Sequence, residues 1–466
     1  MKEQATSTEN ATAVQAPARF GAKLITPLVA GAVLNPINST LIAVALVPIG
    51  QAFGAGPGRT AWLISALYLA TAVGQPVVGL LVDRYGARRV LIGGAAVVIV
   101  AGVAGMLPVS VSWLTGVRAL LGVGTCAGFP AAMAILRRRA EASGQGVPAR
   151  VLSVLAMSSQ TIMVIGPTLG GVLIGLFGWP AIFAVNIPLA GASLLLALFW
   201  VPKDDPRADG DQPAPIDVAG IVLFSATLLA LLFYLMDPGV GDLYLLAAAV
   251  ALGAALVFVE LRIPRPFLDL RMLAANRAIL RTYLRQGLSF LAIYAIMFGY
   301  AQWLESARHL SEEAAGMMLL PMSGVAVAAA AFSGRTTGVR ARLVTTAVAL
   351  VGGSVLLLFV GEHTWLGVLL ALTALFGLAQ GLTSVANQNR LYREAPAEQM
   401  GTASGLFRSA QYLGAIVAST LIAQCFGRHA GDEGLHRLAI ALVVVSALLL
   451  AVTLFDRGLR EARPNR

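Results

Sequence analysis

Fourteen apolar runs, most of them about 20 residues or longer, alternate with short polar segments along this 466-residue chain. A run of that length crosses a bilayer as an α-helix. Helices suit that setting because they satisfy their own backbone groups where lipid offers no partner. The pattern predicts spans at about 24–51, 60–82, 89–109, 112–137, 149–177 and 180–201, then 216–237 and 243–262. Six more follow at about 282–305, 312–333, 342–361, 364–390, 402–426 and 435–456. The expected fold class is an all-α polytopic membrane protein. Its parts are a polar tail (1–20), a first six-helix unit (21–202), a linker (203–215) and an extra hairpin (216–262). A basic segment (263–281) with room for a short interfacial helix comes next, then a second six-helix unit (282–457) and a tail (458–466).

Composition agrees with this reading. Hydrophobic residues are 58% of the chain and charged residues 12%, against roughly 25% charged in a soluble domain. The net charge of +10 would suit nucleic acid, but its placement argues otherwise. Apart from Arg59, Arg118, Arg308, Arg408, Arg428 and Arg437, every Lys and Arg falls in or beside segments on one side of the predicted topology. That asymmetry is the positive-inside bias. It places both termini in the cytoplasm of a cell whose inner (plasma) membrane holds the protein. The partner it implies is the lipid bilayer, not nucleic acid. Residues 1–20 lack an apolar core and read as a disordered cytoplasmic tail, not a signal peptide.

Cys126 and Cys425 lie far apart inside apolar runs, which argues against a disulfide framework or metal site. His309, His363, His429 and His436 map to outer loops or helix ends without metal spacing. No cofactor is expected. No clustered His, Asp or Cys stands at catalytic spacing within the spans, so an enzyme is not expected either. A monomer is expected.

Several polar features remain for function. Between the second and third spans lies Gly79-Leu-Leu-Val-Asp83-Arg84-Tyr-Gly86-Ala-Arg88-Arg89. The Asp83 carboxylate suits a helix N-terminus or an arginine of the other half; a tight positive-inside hairpin explains the same residues. Arg118 sits several residues inside the fourth span, where a charge is expensive and marks function unless it snorkels outward. In the fifth span Gly166, Pro167, Gly170 and Gly171 give small-xxx-small pairs and a proline kink, which serve a hinge or tight packing.

Polar stripes occur on several spans. They are Asn35, Asn38 and Ser39; Gln160 with its neighbouring serines; Gln380, Thr383, Ser384 and Asn387; and Ser404, Arg408, Gln411 and Tyr412. Such groups avoid lipid and face either neighbouring helices or a water-filled cavity. Tyr294, Phe298 and Tyr300 stand nearby in sequence. A cavity of this kind suits an amphipathic organic molecule, neutral or weakly charged. On an unbroken helix Glu305 shares a face with Tyr294 and Phe298. It is a candidate proton site there, or a solvated carboxylate at the outer surface.

The 79–89 loop resembles motif A of the major facilitator superfamily. Arg118-Ala-Leu-Leu-Gly122-Val-Gly124 resembles its motif B, with Leu121 where glutamine is usual. Gly166–Gly171 resembles motif C, associated with efflux. Three further stretches, Gly178–Pro188, Pro266–Arg271 and Tyr300–Glu305, are similar to the fourteen-helix drug:proton antiporter family.

The resemblance implies two six-helix bundles about a central cavity, plus an extra two-helix hairpin. It implies a gate at Asp83, Arg84, Gly86, Arg88 and Arg89, proton coupling through Arg118, and efflux through the motif at Gly166–Gly171, where the kinked, small-faced helix itself suits a hinge. The expected activity is export of an amphipathic organic compound in exchange for protons, Glu305 serving as the second coupling residue. One departure stands out. Relatives often carry Asp-x-Thr in the first span, where this chain has Asn38-Ser39-Thr40. Asparagine cannot titrate, which keeps a proton-independent facilitator or uptake carrier as the alternative, with a membrane-embedded lipid-handling protein or enzyme behind it.

Overall fold

A computed structural model describes residues 20–459, except 56, 61, 144–145, 205–216, 237–238, 265, 311, 334–337 and 427–429. Among the described residues thirteen helical stretches are long and apolar enough to cross a membrane. The 29-residue helix Ala149–Phe177 stands between the fourth and fifth of them. In chain order these are α1 (Ala22–Leu41), α2 (Trp62–Tyr85), α3 (Ala87–Gly105), α4 (Val111–Ala142), α5 (Ala149–Phe177), α6 (Ala181–Trp200), α7 (Val218–Leu235) and α8 (Val240–Glu260). Then come α9 (Arg277–Leu304), α10 (Ala314–Ser333), α11 (Val339–Leu357), α12 (Leu366–Glu394), α13 (Met400–Phe426) and α14 (Asp432–Leu454). The linker beyond Asp204 and the middle of the α10–α11 loop lie outside the described residues. The basic segment holds a short helix, Leu270–Ala275.

Local chemistry sets the boundaries. Gly86 turns the chain between α2 and α3 at φ +95°, a conformation in which a side chain would be strained. Ser110 caps α4 by accepting from Trp113 N–H at 3.0 Å, and Asn276 caps α9 by accepting from Ile279 N–H at 3.2 Å. Several spans depart from an unbroken α-helix, α6 among them by a turn at Val185. α1 passes through a 3₁₀ turn at Ile42–Ala45 before continuing as Leu46–Phe53. α4 is interrupted after Thr125 and resumes at Gly128. α9 widens into a π turn at Ile296–Tyr300.

Lipid tails are as apolar as leucine, so helices associate in a membrane by close packing and hydrogen bonds. Small residues do that here. A Cβ on Gly128 would strike the backbone of Gly31, joining α4 to α1, and one on Gly381 would strike the Ala326 carbonyl, joining α12 to α10. The packed clusters show how the halves meet. Leu34, Leu67, Leu114 and Phe183 belong to a cluster of the first half alone. Ile293, Trp303, Leu369 and Leu438 belong to one of the second half alone. Leu136 and Leu152 share a third cluster with Leu391, Met400 and Phe407, so it is common to both halves. That joint cluster lies at the end carrying the basic loops, called the basic end below. The extra hairpin lies along the seam: Leu228 and Leu232 of α7 pack with Leu69 of α2 and Tyr412 of α13.

Candidate functional site between the halves

The seam between α2 and α13 organises the site. The two helices run antiparallel, Gly79 against Gly401, Gln75 against Gly405, and Tyr68 against Tyr412. Backbones touch where the glycines meet, since a Cβ on any of the three would collide with the opposite main chain. At the same seam the Ser409 hydroxyl donates to the Ala72 carbonyl at 2.6 Å. Asp83 closes the basic end. Its carboxylate accepts from Gly401 N–H and Thr402 N–H, both at 2.7 Å, and from the Thr402 hydroxyl at 2.9 Å. These are the donors left open by the first turn of α13, where the helix dipole also favours an anion.

Hydrogen bonds of Gly86, Arg88 and Arg89 lie within the first half. Gly86 makes the turn, and the Arg84 guanidinium lies 5.5 Å from the Tyr85 ring. Arg88 donates to the carbonyls of Ala197 and Leu198 near the end of α6, at 3.3 and 2.6 Å. The N–H groups of Arg88 and Arg89 are capped by Asp204, which also pairs with Arg138 at 3.6 Å. A second cross-half contact that sequence reasoning missed involves Arg137 of α4. It donates to the Tyr392 carbonyl of α12 at 2.9 Å and stacks over that ring at 5.1 Å. Its place in a basic helix end gave only a topology signal.

Deeper in the first half, the side chains of α1 form a buried polar group. Asn35 donates to Thr125 at 2.9 Å and accepts from the Tyr412 hydroxyl of the other half at 2.5 Å. Asn38 donates to Asn186 of α6 at 2.6 Å and to the Leu34 carbonyl at 2.8 Å. Arg118 is 2% exposed and does not reach the surface. It donates to the backbone carbonyls of Leu63 at 2.8 Å and Asn38 at 3.0 Å, so it holds α4, α2 and α1 together.

The second half mirrors this with its own network. Arg408 of α13 donates to Gln411 at 3.1 Å and lies 3.9 Å from the ring of Phe129, a residue of α4. Phe129 also stacks on Phe407, with ring centroids 6.2 Å apart. Gln411 accepts from Gln286 at 3.2 Å and reaches the Tyr294 hydroxyl at 3.4 Å. Asn387 donates to Gln286 at 3.0 Å. Ser384 and Gln380 are buried on the same helix, joined by a bond from the Ser384 hydroxyl to the Gln380 carbonyl at 2.9 Å. Tyr294 stacks on Phe298 at 5.8 Å. Tyr68, whose ring meets Tyr412, stands within electrostatic reach of Arg118 and Tyr294.

One expectation meets different local structure. The π turn Ile296–Tyr300 adds a residue to one turn of α9, so the α-helical spacing that put Glu305 on the face of Tyr294 and Phe298 does not carry through. The Glu305 side chain itself lies outside the described residues, as do those of Gln160 and Pro167. Along α5, Gly166 abuts Thr40 and Gly170 abuts Leu41 and Val44, so both serve close approach to α1, while Gly171 faces open space.

The sequence profile of the Major Facilitator Superfamily matches residues 28–419. The chain is 32% identical over 448 residues to the uncharacterised MFS-type transporter YwoD of Bacillus subtilis, covering 92% of this chain and 96% of that one. It is 28% identical to the multidrug efflux pump LfrA of Mycolicibacterium smegmatis, covering 84% of this chain and 78% of that one. In structure it is similar to the human organic anion transporter MFSD10, with a TM-score of 0.69 at 16% identity, over 94% of this chain and all of that one. A fourteen-span helical fold whose halves meet along a polar seam, matched by the family profile over most of its length, belongs to the major facilitator superfamily.

Proposed function

We propose that this transporter exports an amphipathic organic compound by alternating access. The observation that carries the reading is the Asp83 carboxylate on the first turn of α13, because it ties the halves at one end through bonds that part when they separate. The basic loops support a cytoplasmic placement of that end, in a plasma membrane. The state described is then closed toward the cytoplasm, with the joint apolar cluster sealing it. The buried stripes around Asn35, Asn38, Tyr294 and Gln411 line the binding region at the seam. Export rather than uptake is supported by the efflux-associated motif at Gly166–Gly171 and by the likeness to the efflux pump LfrA.

Proton antiport is the drive we assign, through Arg118 and Glu305. A specific observation favours a second reading, a carrier without proton coupling. Asn38 occupies the position where relatives carry an acid, and it is engaged with Asn186 as an amide pair that cannot titrate. Everted membrane vesicles test both. Compound-dependent proton release from acidified vesicles, lost in Glu305→Gln, supports antiport. Compound uptake indifferent to a protonophore supports the carrier. Absence of any compound movement into the vesicles counts against export.

A further inference from the structure

Resting on the export reading, we propose that the transported compound is an amphipathic organic anion, and that Arg408 at the seam receives its negative group. The argument starts from charge balance. Arg118 and Arg408 both sit within spans, and among the described residues neither has a carboxylate partner. Arg118 spends its bonds on two backbone carbonyls and leaves Nη2 buried with no partner. Arg408 has one amide partner and an aromatic face, and its Nε is buried with no partner. Elsewhere two buried arginines are neutralised, Arg285 by Asp456 and Arg390 by Glu394, while Arg342, at the basic end, donates to Ser333. The binding region is therefore a place where two cations are left uncompensated in a medium that penalises a lone charge.

The departure at Asn38 fits this arrangement. A carboxylate there would add a negative charge to the residue whose backbone carbonyl accepts from Arg118 Nη1 at 3.0 Å. The amide keeps the region positive. Arg408 is the better receiver of the two. Arg118 is fixed within the first half, while Arg408 reaches across the seam to Phe129, so its surroundings change when the halves part. Tyr294 and Tyr412 lie within electrostatic reach of it, and their rings pair with Phe298 and Tyr68, an aromatic surrounding that suits the apolar body of such a compound. A carboxylate or sulfonate on an aromatic frame matches the guanidinium geometry.

The test uses three probes in everted vesicles: the anion 8-anilino-1-naphthalenesulfonate, its neutral counterpart N-phenyl-1-naphthylamine, and the cation ethidium. Energised accumulation above that of vesicles lacking the protein is measured for the protein and for Arg408→Gln and Arg408→Lys. Size-exclusion elution establishes that each variant is folded. The expected result is preference for the anion, an anion-to-neutral ratio lowered about tenfold in Arg408→Gln, and partial recovery in Arg408→Lys. Accumulation of the neutral compound or the cation in preference to the anion overturns the assignment and leaves export standing. So does an anion-to-neutral ratio unchanged in a folded Arg408→Gln. Accumulation of none of the three overturns the export reading itself.

Discussion

Thr402 holds Asp83 twice, with its backbone N–H at 2.7 Å and its hydroxyl at 2.9 Å, both on the same carboxylate oxygen. The Gly401 N–H takes the other oxygen at 2.7 Å. Asp83→Asn keeps the shape but can accept on only one oxygen, turns a donor toward a donor, and removes the charge that the helix N-terminus favours. Losing hydrogen bonds to a charged group costs about 1.5–3 kcal/mol each. The expected outcome is a shift toward the state open at the basic end and a large fall in transport rate. Thiol labelling of a cysteine placed at Ser404 should rise in Asp83→Asn; equal labelling in both backgrounds would show that this contact does not close that end.

Gly401 makes a second, steric prediction about the same end. A methyl at this position would meet the Gly79 carbonyl and the Asp83 carboxylate. Neither is the free end of a flexible side chain, so the helices must move apart. Gly401→Ala should therefore reproduce the open shift of Asp83→Asn while leaving every charge in place. An effect confined to Asp83→Asn would separate the electrostatic contribution from the packing.

At the basic end of the second half, Asp456 lies beyond the last turn of α14 and accepts from Arg285 at 2.6 Å and Arg281 at 2.7 Å. Burial alone would push its carboxyl up, but the two guanidiniums outweigh that and hold it below the usual carboxylate range. A carboxyl lowered on folding contributes stability that is fully present above its unfolded pKa, about 3.9, and is lost as pH falls through the lower folded value. Thermal stability of the detergent-purified protein should thus fall below about pH 4, and Asp456→Asn should flatten that part of the profile. At neutral pH the same variant leaves Arg285, 0% exposed, without its counter-charge, at a cost of about 3–5 kcal/mol. A melting temperature at pH 7 equal to that of the unaltered protein would contradict this.

Much of the fold was legible because a membrane span announces itself by composition over about 20 residues. The bends were not. The π turn at Ile296–Tyr300 and the break after Thr125 occur in stretches whose composition is still that of a helix, and tertiary packing decides them. The site was legible as residue types, since Asn35, Asn38, Arg118, Arg408 and Gln411 are all conspicuous on apolar helices. Their pairings were not, because contacts such as Asn35 with Tyr412, or Arg408 with Phe129, join positions some 380 and 280 residues apart that no spacing relates. Asp83 lay between. Its need for a positive partner could be read, and the structure supplies a helix N-terminus rather than an arginine.

Asn38 gives a prediction about charge in the first half. Its amide donates to Asn186 and to Leu34. An ionised carboxylate can donate to neither, so Asn38→Asp should cost stability of about 1–3 kcal/mol. It should also compensate Arg118, lowering accumulation of the anionic probe relative to the neutral one, and make transport depend on pH where the unaltered protein does not through this position. An unchanged anion-to-neutral ratio in a folded Asn38→Asp would mean that Arg118 does not contribute to charge selection.

Asp83 is taken up at the basic end, and no carboxylate among the described residues pairs with Arg118 or Arg408, which bears on what drives export. An anion leaving a cell whose interior is negative moves down the electrical gradient. One charge crossing 100 mV releases about 2.3 kcal/mol, enough for a concentration ratio of about fifty. Uptake of 8-anilino-1-naphthalenesulfonate into everted vesicles should therefore rise when a potassium diffusion potential makes the lumen positive, with no pH difference imposed. Varying the pH gradient at fixed potential then separates the mechanisms. Uptake that follows the pH gradient supports antiport with a proton, and places weight on Glu305. Uptake that ignores it supports a carrier driven by potential alone, for which a non-titrating Asn38 beside an unneutralised Arg118 is the arrangement required. Uptake indifferent to the potential would mean that the translocated complex carries no net charge, and that Arg408 does not receive an unpaired anion.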